Sequence, residues 1–304
     1  MNKEELYSVI GTVDEELLQR CEQPVKKKAK SKWLKWGAIA ACLCFAAILT
    51  VVLINPEADK PIDVSPATDA DGVTIPQMEV TLSDDVAADM IGFFIFQGRV
   101  YTQYEWIYDD IDIVGEYLGT ATGLIDEWTP QEGYVELAGS VSGDFYSVKG
   151  YDPSFMLCMK LTNGVVCTYV CDNGITVKYG SELYDERLHL RGNFSAVEYE
   201  TRESWNRSKG ELYSIDKESA VIEDFISELY SEEFILWSTV PEKEGHTQSS
   251  IYDTETYHVY FRMHNGTTVH LRLYENGYVR FQGLSAVCVQ VSADTYNSLI
   301  ELLK

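Results

Sequence analysis

The chain has 304 residues, with 24 basic and 48 acidic side chains and a net charge of −24 at neutral pH. Residues 1–36 carry eight basic and six acidic groups, whereas residues 37–304 carry sixteen basic and forty-two acidic groups. Such an excess of acid repels phosphate backbones, so nucleic acid is a poor candidate partner. The acidity serves either solubility or the attraction of cations and basic ligands, and the sequence leaves both open.

Residues 1–31 are predicted to form a small helical head. Asn2 can cap a first short helix and Asp14 a second, because their side-chain oxygens accept backbone N–H groups. A segment of this length cannot bury a core by itself. It is therefore either completed by a partner or a plain tail beside the membrane.

Residues 32–54 are predicted to be a transmembrane helix. Residues 37–54 carry no charge, and eighteen residues at about 1.5 Å each nearly cross a hydrocarbon core. Trp33 and Trp36 lie where an aromatic belt is expected. The lysines that precede the run are Lys26, Lys27, Lys28, Lys30, Lys32 and Lys35. Because all of them lie on the N-terminal side, the head is expected in the cytoplasm and everything after Asn55 outside the cell membrane.

A cleaved signal peptide or lipoprotein is the alternative to a retained anchor. Residues 39–42 read Ile-Ala-Ala-Cys, which fits a lipobox by composition. Cleavage there would leave twelve uncharged residues on the mature protein, and the run ends without a small-x-small site. A retained single-pass anchor is therefore favoured.

Two outer modules are predicted beyond a linker. Residues 55–78 form a proline-rich, extended linker, with prolines at Pro56, Pro61, Pro66 and Pro76. Residues 79–204 are predicted to be an antiparallel β module, a sandwich or a barrel, because short Tyr-, Val- and Phe-rich runs alternate with turn signals. These runs are residues 93–96, 100–107, 117–125, 134–141 and 145–148.

Residues 205–304 are predicted to form an α+β module of helix, three-stranded meander and helix, so the fold class is α+β with mostly antiparallel strands. Asp216 is expected to cap a helix from Lys217 to about Glu233, and Ser292 or Asp294 to open the last helix. The apolar positions at helical spacing are Val221, Ile222, Phe225, Ile226 and Leu229, then Tyr296, Leu299, Ile300 and Leu303.

Four Asn-Gly turns define the strand register. The turns are 162–164, 172–174, 264–266 and 275–277. A two-residue and a three-residue loop give opposite facings, and only the three-residue loop pairs apolar residues across the strands. It predicts one buried face in each meander: Phe155, Leu157, Met159, Cys167, Tyr169, Cys171, Ile175 and Val177; then Val259, Phe261, Met263, Val269, Leu271, Leu273, Val279 and Phe281.

The chosen register gathers a polar face on the other side of the last meander. Its residues are His258, Tyr260, Arg262, His270, Arg272, Tyr274, Tyr278 and Arg280. Arg272 lies across from Arg280, which is unfavourable unless an anion lies between or above them. The predicted ligand is a carboxylate, a phosphate or an acidic glycan, bound by arginine forks and tyrosine rings. The alternatives are a solvated mixed face, or neutralisation by the neighbouring module or by the helix acids Glu218, Glu223, Asp224 and Glu228.

The cysteines and catalytic motifs indicate no enzyme, metal or cofactor. Cys167 and Cys171 are four residues apart, roughly 13 Å in a strand, which is too far for a disulfide. The outer cysteines are interpreted as buried thiols, although a Cys158–Cys288 bridge stays open. Ser214 to Lys217 matches Ser-x-x-Lys without its companion motifs, and the acidic loop around Asp110 lacks calcium-loop spacing.

The head and the start of the apolar run carry a family resemblance over about the first 55 residues. The residues that carry it are Lys3-Glu4-Glu5-Leu6-Tyr7, Ile10-Gly11, Val13-Asp14-Glu15-Glu16-Leu17-Leu18 and Lys32-Trp33-Leu34-Lys35-Trp36-Gly37-Ala38-Ile39-Ala40-Ala41-Cys42-Leu43-Cys44. This segment resembles single-pass proteins of Firmicutes, mainly gut Clostridia, some of which look like membrane partners of extracytoplasmic-function sigma factors.

The resemblance implies that the head binds a cytoplasmic regulator, in an anti-sigma-like way, while the outer part senses the envelope. We therefore expect a membrane-anchored sensor or binding protein. The alternative is a purely extracytoplasmic binding or structural protein with a passive anchor.

Overall fold

The computed structural model describes residues 65–77, 91–108, 112–125 and 135–304, which belong to the unit Asp63–Lys304. The predicted head and transmembrane helix lie outside the described residues. Within the described ranges, no helix combines the length and apolar character needed to cross a bilayer.

The first strands lie in the segment that was expected to be a linker. Strand β1 (Ala67–Asp69) forms a hairpin with β2 (Gly72–Ile75), and β2 also pairs with β10 (Ile175–Val177). The Val73 and Ile75 side chains of β2 are buried. This end of the linker therefore contributes to the folded unit, because its two apolar side chains alternate with polar ones.

Seven strands close into a barrel, in the order β3-β4-β9-β8-β7-β5-β6, and only the β5–β6 pair is parallel. The strands are β3 (Phe93–Phe96), β4 (Arg99–Ile107), β5 (Val114–Leu124), β6 (Ala138–Gly139), β7 (Ser142–Val148), β8 (Met156–Lys160) and β9 (Val166–Cys171). One buried cluster comprises Phe94, Tyr101, Ala121, Phe145, Leu157, Met159, Cys167, Tyr169 and Cys171. The sequence had left sandwich and barrel open, and closure leaves this sheet no free edge.

A second sheet also has seven strands, in the order β12-β11-β14-β15-β16-β17-β13. The strands are β11 (Phe194–Thr201), β12 (Tyr213–Ile215), β13 (Ile235–Leu236), β14 (Glu255–Met263), β15 (Thr268–Tyr274), β16 (Tyr278–Phe281) and β17 (Val287–Gln290). The predicted meander is its centre. The module boundary expected after residue 204 does not separate the sheets, because β11 precedes it and pairs with β14.

Short helices complete the unit. They are α1 (Gly180–Tyr184), α2 (Arg202–Asn206), α3 (Ala220–Ser231), α4 (Val240–Lys243) and α5 (Ala293–Leu302). Helix α3 begins after Ser219 rather than after Asp216, whose carboxylate instead accepts the Glu218 N–H at 3.0 Å and forms a turn. Helix α5 begins as predicted after Ser292, whose hydroxyl accepts the Thr295 N–H at 3.3 Å.

The predicted strand register is confirmed at three of the four turns. Phe261 pairs with Val269, and Leu271 pairs with Phe281. All sixteen side chains predicted to face the two cores are buried. The three-residue reading is correct at turns 162–164, 264–266 and 275–277; at 264–266, the Met263 N–H donates to the Thr267 carbonyl at 2.8 Å. It is wrong at 172–174, which forms no hairpin because β10 leaves β9 and pairs with β2. Ile175 and Val177 therefore belong to a different core from the barrel interior.

Side chains of the barrel contact the first residues of β15. Strand β16 is too short to pair with these residues, since its pairing with β15 begins at Leu271. The Tyr104 hydroxyl donates to the Thr268 carbonyl at 2.8 Å and accepts the His270 N–H at 3.2 Å. The Glu105 carboxylate accepts the Thr268 N–H at 3.0 Å. Barrel side chains therefore satisfy backbone groups that would otherwise be an unpaired sheet edge.

The four outer cysteines, Cys158, Cys167, Cys171 and Cys288, are buried free thiols. The interpretation as small buried side chains is confirmed, and Cys158 is not bridged to Cys288.

Candidate functional site

The eight residues predicted to form a polar face lie together on the side of the second sheet opposite its apolar face. Arg272 pairs directly with Arg280 and with His258 on its other side. The face is largely covered rather than open. Six residues are buried, namely His258, Tyr260, His270, Tyr274, Tyr278 and Arg280, and the other two, Arg262 and Arg272, are half-buried.

Glu255 neutralises Arg272 at the start of β14. The Arg272 Nε donates to the Glu255 carboxylate, and His258 Nε2 lies 3.4 Å from the same oxygen. Burial alone would raise the pKa of Glu255, but the His258 and Arg272 contacts outweigh it and lower that pKa to about 2. The carboxylate is therefore ionised at neutral pH and balances one arginine.

Strand β11 supplies two further acids. The Tyr260 hydroxyl donates to Glu200 at 2.6 Å, and Arg262 Nε donates to Glu198 at 2.8 Å. The Ser204 hydroxyl of α2 donates to the second Glu200 oxygen at 2.6 Å. Of the two sources of neutralisation considered from the sequence, the neighbouring module contributes through β11, whereas the Glu223 and Glu228 side chains of α3 are bonded elsewhere. Glu255 of β14 and Glu244, which accepts the Tyr278 hydroxyl at 2.7 Å, also contact the face.

Sequence reasoning missed Glu198 and Glu200. The alternation in residues 194–201 could have indicated them, because Val197 and Tyr199 lie on one face of the strand and the two glutamates lie on the other.

Two histidines form a buried pair at the centre of the face. His258 Nδ1 and His270 Nε2 are 2.8 Å apart, and the Trp205 ring stacks on His258 with centroids 4.6 Å apart. One ring must donate and the other accept, so the two rings cannot both be doubly protonated while this bond persists. Burial, followed by the charges of His258 and Arg272, lowers the pKa of His270 well below 6.5.

Acidification is expected to destabilise the fold first through His270. Its folded pKa lies below 6.5, so the unfolded chain binds more protons as pH falls through 6.5 and the stability present at neutral pH is lost. Glu255 adds a second loss between pH 4.5 and about 2. Urea denaturation at pH 7.5 and 5.5 should show this slope, and His270→Gln should flatten it. The exposed His264→Gln is the control, and an equal flattening there would contradict the assignment.

Arg280 occupies an aromatic corner of the face. Its guanidinium carbon lies 4.3 Å from the Trp237 ring centroid and 5.9 Å from those of Tyr252 and Tyr274. One terminal nitrogen donates to the Tyr274 hydroxyl at 3.2 Å, and the other donates to the Ser285 carbonyl. No carboxylate of the described residues forms an ion pair with it within 4.0 Å. Arg280 is thus a buried cation whose contacts are neutral.

An open groove of about 790 Å³ lies at the start of α5, away from the polar face. It is lined by Glu228, Glu232, Glu275, Asn276, Gln290, Val291, Ser292, Ala293, Tyr296 and Asn297. Both carboxylate oxygens of Glu228 are already hydrogen-bonded in the groove, one to the backbone N–H and the other to the hydroxyl of Ser292. The groove contains none of the predicted site residues.

The fold and face define a mostly antiparallel α+β unit in which a closed barrel adjoins a sheet with a charged, covered surface. Across the described ranges, no three His, Cys, Asp or Glu side chains are arranged to hold a metal ion. No protein-family model, curated protein or solved structure matches the chain.

Proposed function

We propose that this chain is a single-pass membrane protein whose β-rich outer unit binds or senses an envelope ligand and whose cytoplasmic head regulates a transcription factor. The observation that carries the proposal is the uncharged run at residues 37–54, with its lysines on the N-terminal side only. A unit of 242 residues, Asp63–Lys304, follows it, and such a unit can hold a binding site away from the bilayer.

An anionic ligand is proposed for the outer unit. The polar face concentrates three arginines, and Glu255 and Glu198 balance only Arg272 and Arg262. Glu200 and Glu244 also contact the face, so it has no net positive charge, but neither acid pairs with an arginine, and Arg280 has no carboxylate within 4.0 Å among the described residues. A buried cation without a counter-ion favours a partner that brings a negative charge.

The orientation is tested with the full chain carrying a tag at each end, expressed in bacterial cells. Protease added to intact cells should remove the C-terminal tag and leave the N-terminal one, because the latter is expected in the cytoplasm. Both tags should be lost from permeabilised cells, which is the control. A protected C-terminal tag, or a protein recovered in the soluble fraction, would contradict the anchored arrangement.

The same protein, solubilised in detergent, distinguishes a signalling head from a passive anchor. A cytoplasmic transcription factor should co-purify with the full chain and be lost when residues 1–31 are removed. Equal recovery of every cytoplasmic protein with and without those residues would leave only the anchored binding protein.

A further inference from the structure

We infer that Arg280 and Trp237 form a binding site for a small monovalent anion, with the carboxylate group as the preferred chemistry. This deepens the proposed binding role and rests on it for the biological meaning of the ligand. The site occupies one corner of the polar face, next to Tyr252, rather than the whole eight-residue surface.

Arg280 lacks a direct ion-pair partner from the described residues in this corner. Arg272 and Arg280 lie directly across from each other on β15 and β16, and Glu255 contacts only the former. Cys288 supplies no charge, since burial raises the pKa of its thiol to about 12. Burial also raises the pKa of Tyr274, so its phenol stays neutral. Glu244 reaches the neighbouring Tyr278 hydroxyl at 2.7 Å but does not pair with Arg280. Arg280 therefore has no direct counter-ion among the described residues.

Two buried donors in the corner lack acceptors. Arg280 Nε and Trp237 Nε1 are both inaccessible to solvent and have no hydrogen-bond partner among the described residues. Buried N–H groups nearly always have a partner, so two unpartnered donors on side chains that stack on each other point to a shared acceptor. The terminal nitrogens of Arg280 already donate to Tyr274 and Ser285, which leaves the Nε side for the ligand.

The surroundings limit the ligand to a small, singly charged group. Arg280 is 4% exposed, so a bulky ligand cannot reach it. Tyr252, in the 3-10 turn Ser250–Thr254, is 39% exposed and its ring lies over both arginines, so a ligand that reaches Arg280 on this side would have to displace this ring. A dianion would bring a second charge close to Glu255 and leave it unbalanced, so a carboxylate or a halide fits better than a phosphate dianion.

The test uses the full chain in detergent, with acetate and bromide as separate probes. Each sodium salt replaces sodium gluconate at constant ionic strength, because the gluconate ion is too large for the corner. A saturable rise in melting temperature with acetate, with or without one for bromide, supports the inference. A response to bromide alone overturns the preference for carboxylate, and no response to either anion overturns the site and assigns the two donors to water.

Variants separate the site from general salt effects. Arg280→Met keeps an apolar chain against the Trp237 ring but should abolish the saturable response. Arg191→Met is the matched control, because Arg191 also stacks on a ring, Tyr230 at 4.7 Å, yet has a carboxylate partner in Glu223 at 3.0 Å. Its response should be unchanged. An unaltered response in Arg280→Met would overturn the site.

A second variant decides the matter if Arg280→Met does not fold. Trp237→Phe removes one N–H donor and keeps an aromatic, though smaller, ring, so the acetate concentration at half-saturation should rise about tenfold. An unchanged half-saturation would exclude Trp237 Nε1 as a ligand donor and overturn the inference. Failure of these tests in a protein with the expected orientation removes the anion site and leaves the anchored arrangement standing.

Discussion

Glu255→Gln is expected to destabilise the folded unit by about 3 kcal/mol, because it leaves the half-buried Arg272 guanidinium, 20% exposed, without its counter-ion. The Glu255 side chain is 3% exposed and contacts both Arg272 and His258. Glutamine keeps the size and one acceptor but removes the charge, so the loss is electrostatic rather than one of packing. Urea denaturation of the full chain in detergent, followed by circular dichroism, measures the change.

Glu198→Gln is the matched control. Glu198 also pairs with an arginine of the same face, but its side chain is 26% exposed and that of Arg262 is 37% exposed. Water screens such a pair, and we expect a loss of about 1 kcal/mol or less. Equal losses in the two variants would show that burial does not control the strength of these ion pairs.

Gly180→Ala is expected to cost about 3 kcal/mol, the upper part of the range for overpacking a core. A Cβ at this position would lie 1.7 Å from the backbone oxygen of Leu229, so α1 and α3 would have to separate. The Gly180 N–H also donates to the Glu232 carbonyl at 2.9 Å, and separation would break that bond. Thermal denaturation of the variant should show a clearly lower midpoint.

Gly192→Ala isolates the effect of the contact. Gly192 has no atom within 4 Å of an added Cβ, but its φ of +69° is a left-handed conformation. Alanine there should cost about 1 kcal/mol through backbone strain alone. A Gly180→Ala loss no larger than this would mean that α1 and α3 adjust to the extra methyl group.

The centre of the second sheet was predictable from the sequence because its signals are local. Alternating side chains and the Asn-Gly turns determine the register over a few residues, and that register placed Arg272 opposite Arg280. The same reasoning identified five side chains of the barrel interior, on β8 and β9, but it wrongly added β10, which pairs with β2 in another sheet. The start of α3 was predicted three residues too early, at Lys217 instead of Ala220, because Asp216 has a good capping side chain and precedes Ser219, the actual N-cap.

The partners of the polar face were not predictable, because they come from distant parts of the chain. The Tyr260 hydroxyl donates to Glu200, which lies sixty residues earlier in the chain. Glu200 belongs to β11, which falls within the residues predicted to form the preceding module. Periodicity shows which face a side chain occupies but not which strand lies beside it. The head, the membrane span and the family resemblance concern residues outside the described ranges and stay predictions.

The Tyr104 hydroxyl connects the strand that carries His270 of the histidine pair to the barrel. It bonds to the backbone of both Thr268 and His270, so the main chain that carries one histidine is attached to a barrel strand. A backbone shift at His270 large enough to break these bonds would leave the Thr268 carbonyl and the His270 N–H without partners, unless β4 moved with them. The Tyr104 hydroxyl thus makes the position of this histidine strand depend on the barrel as well as on its own sheet.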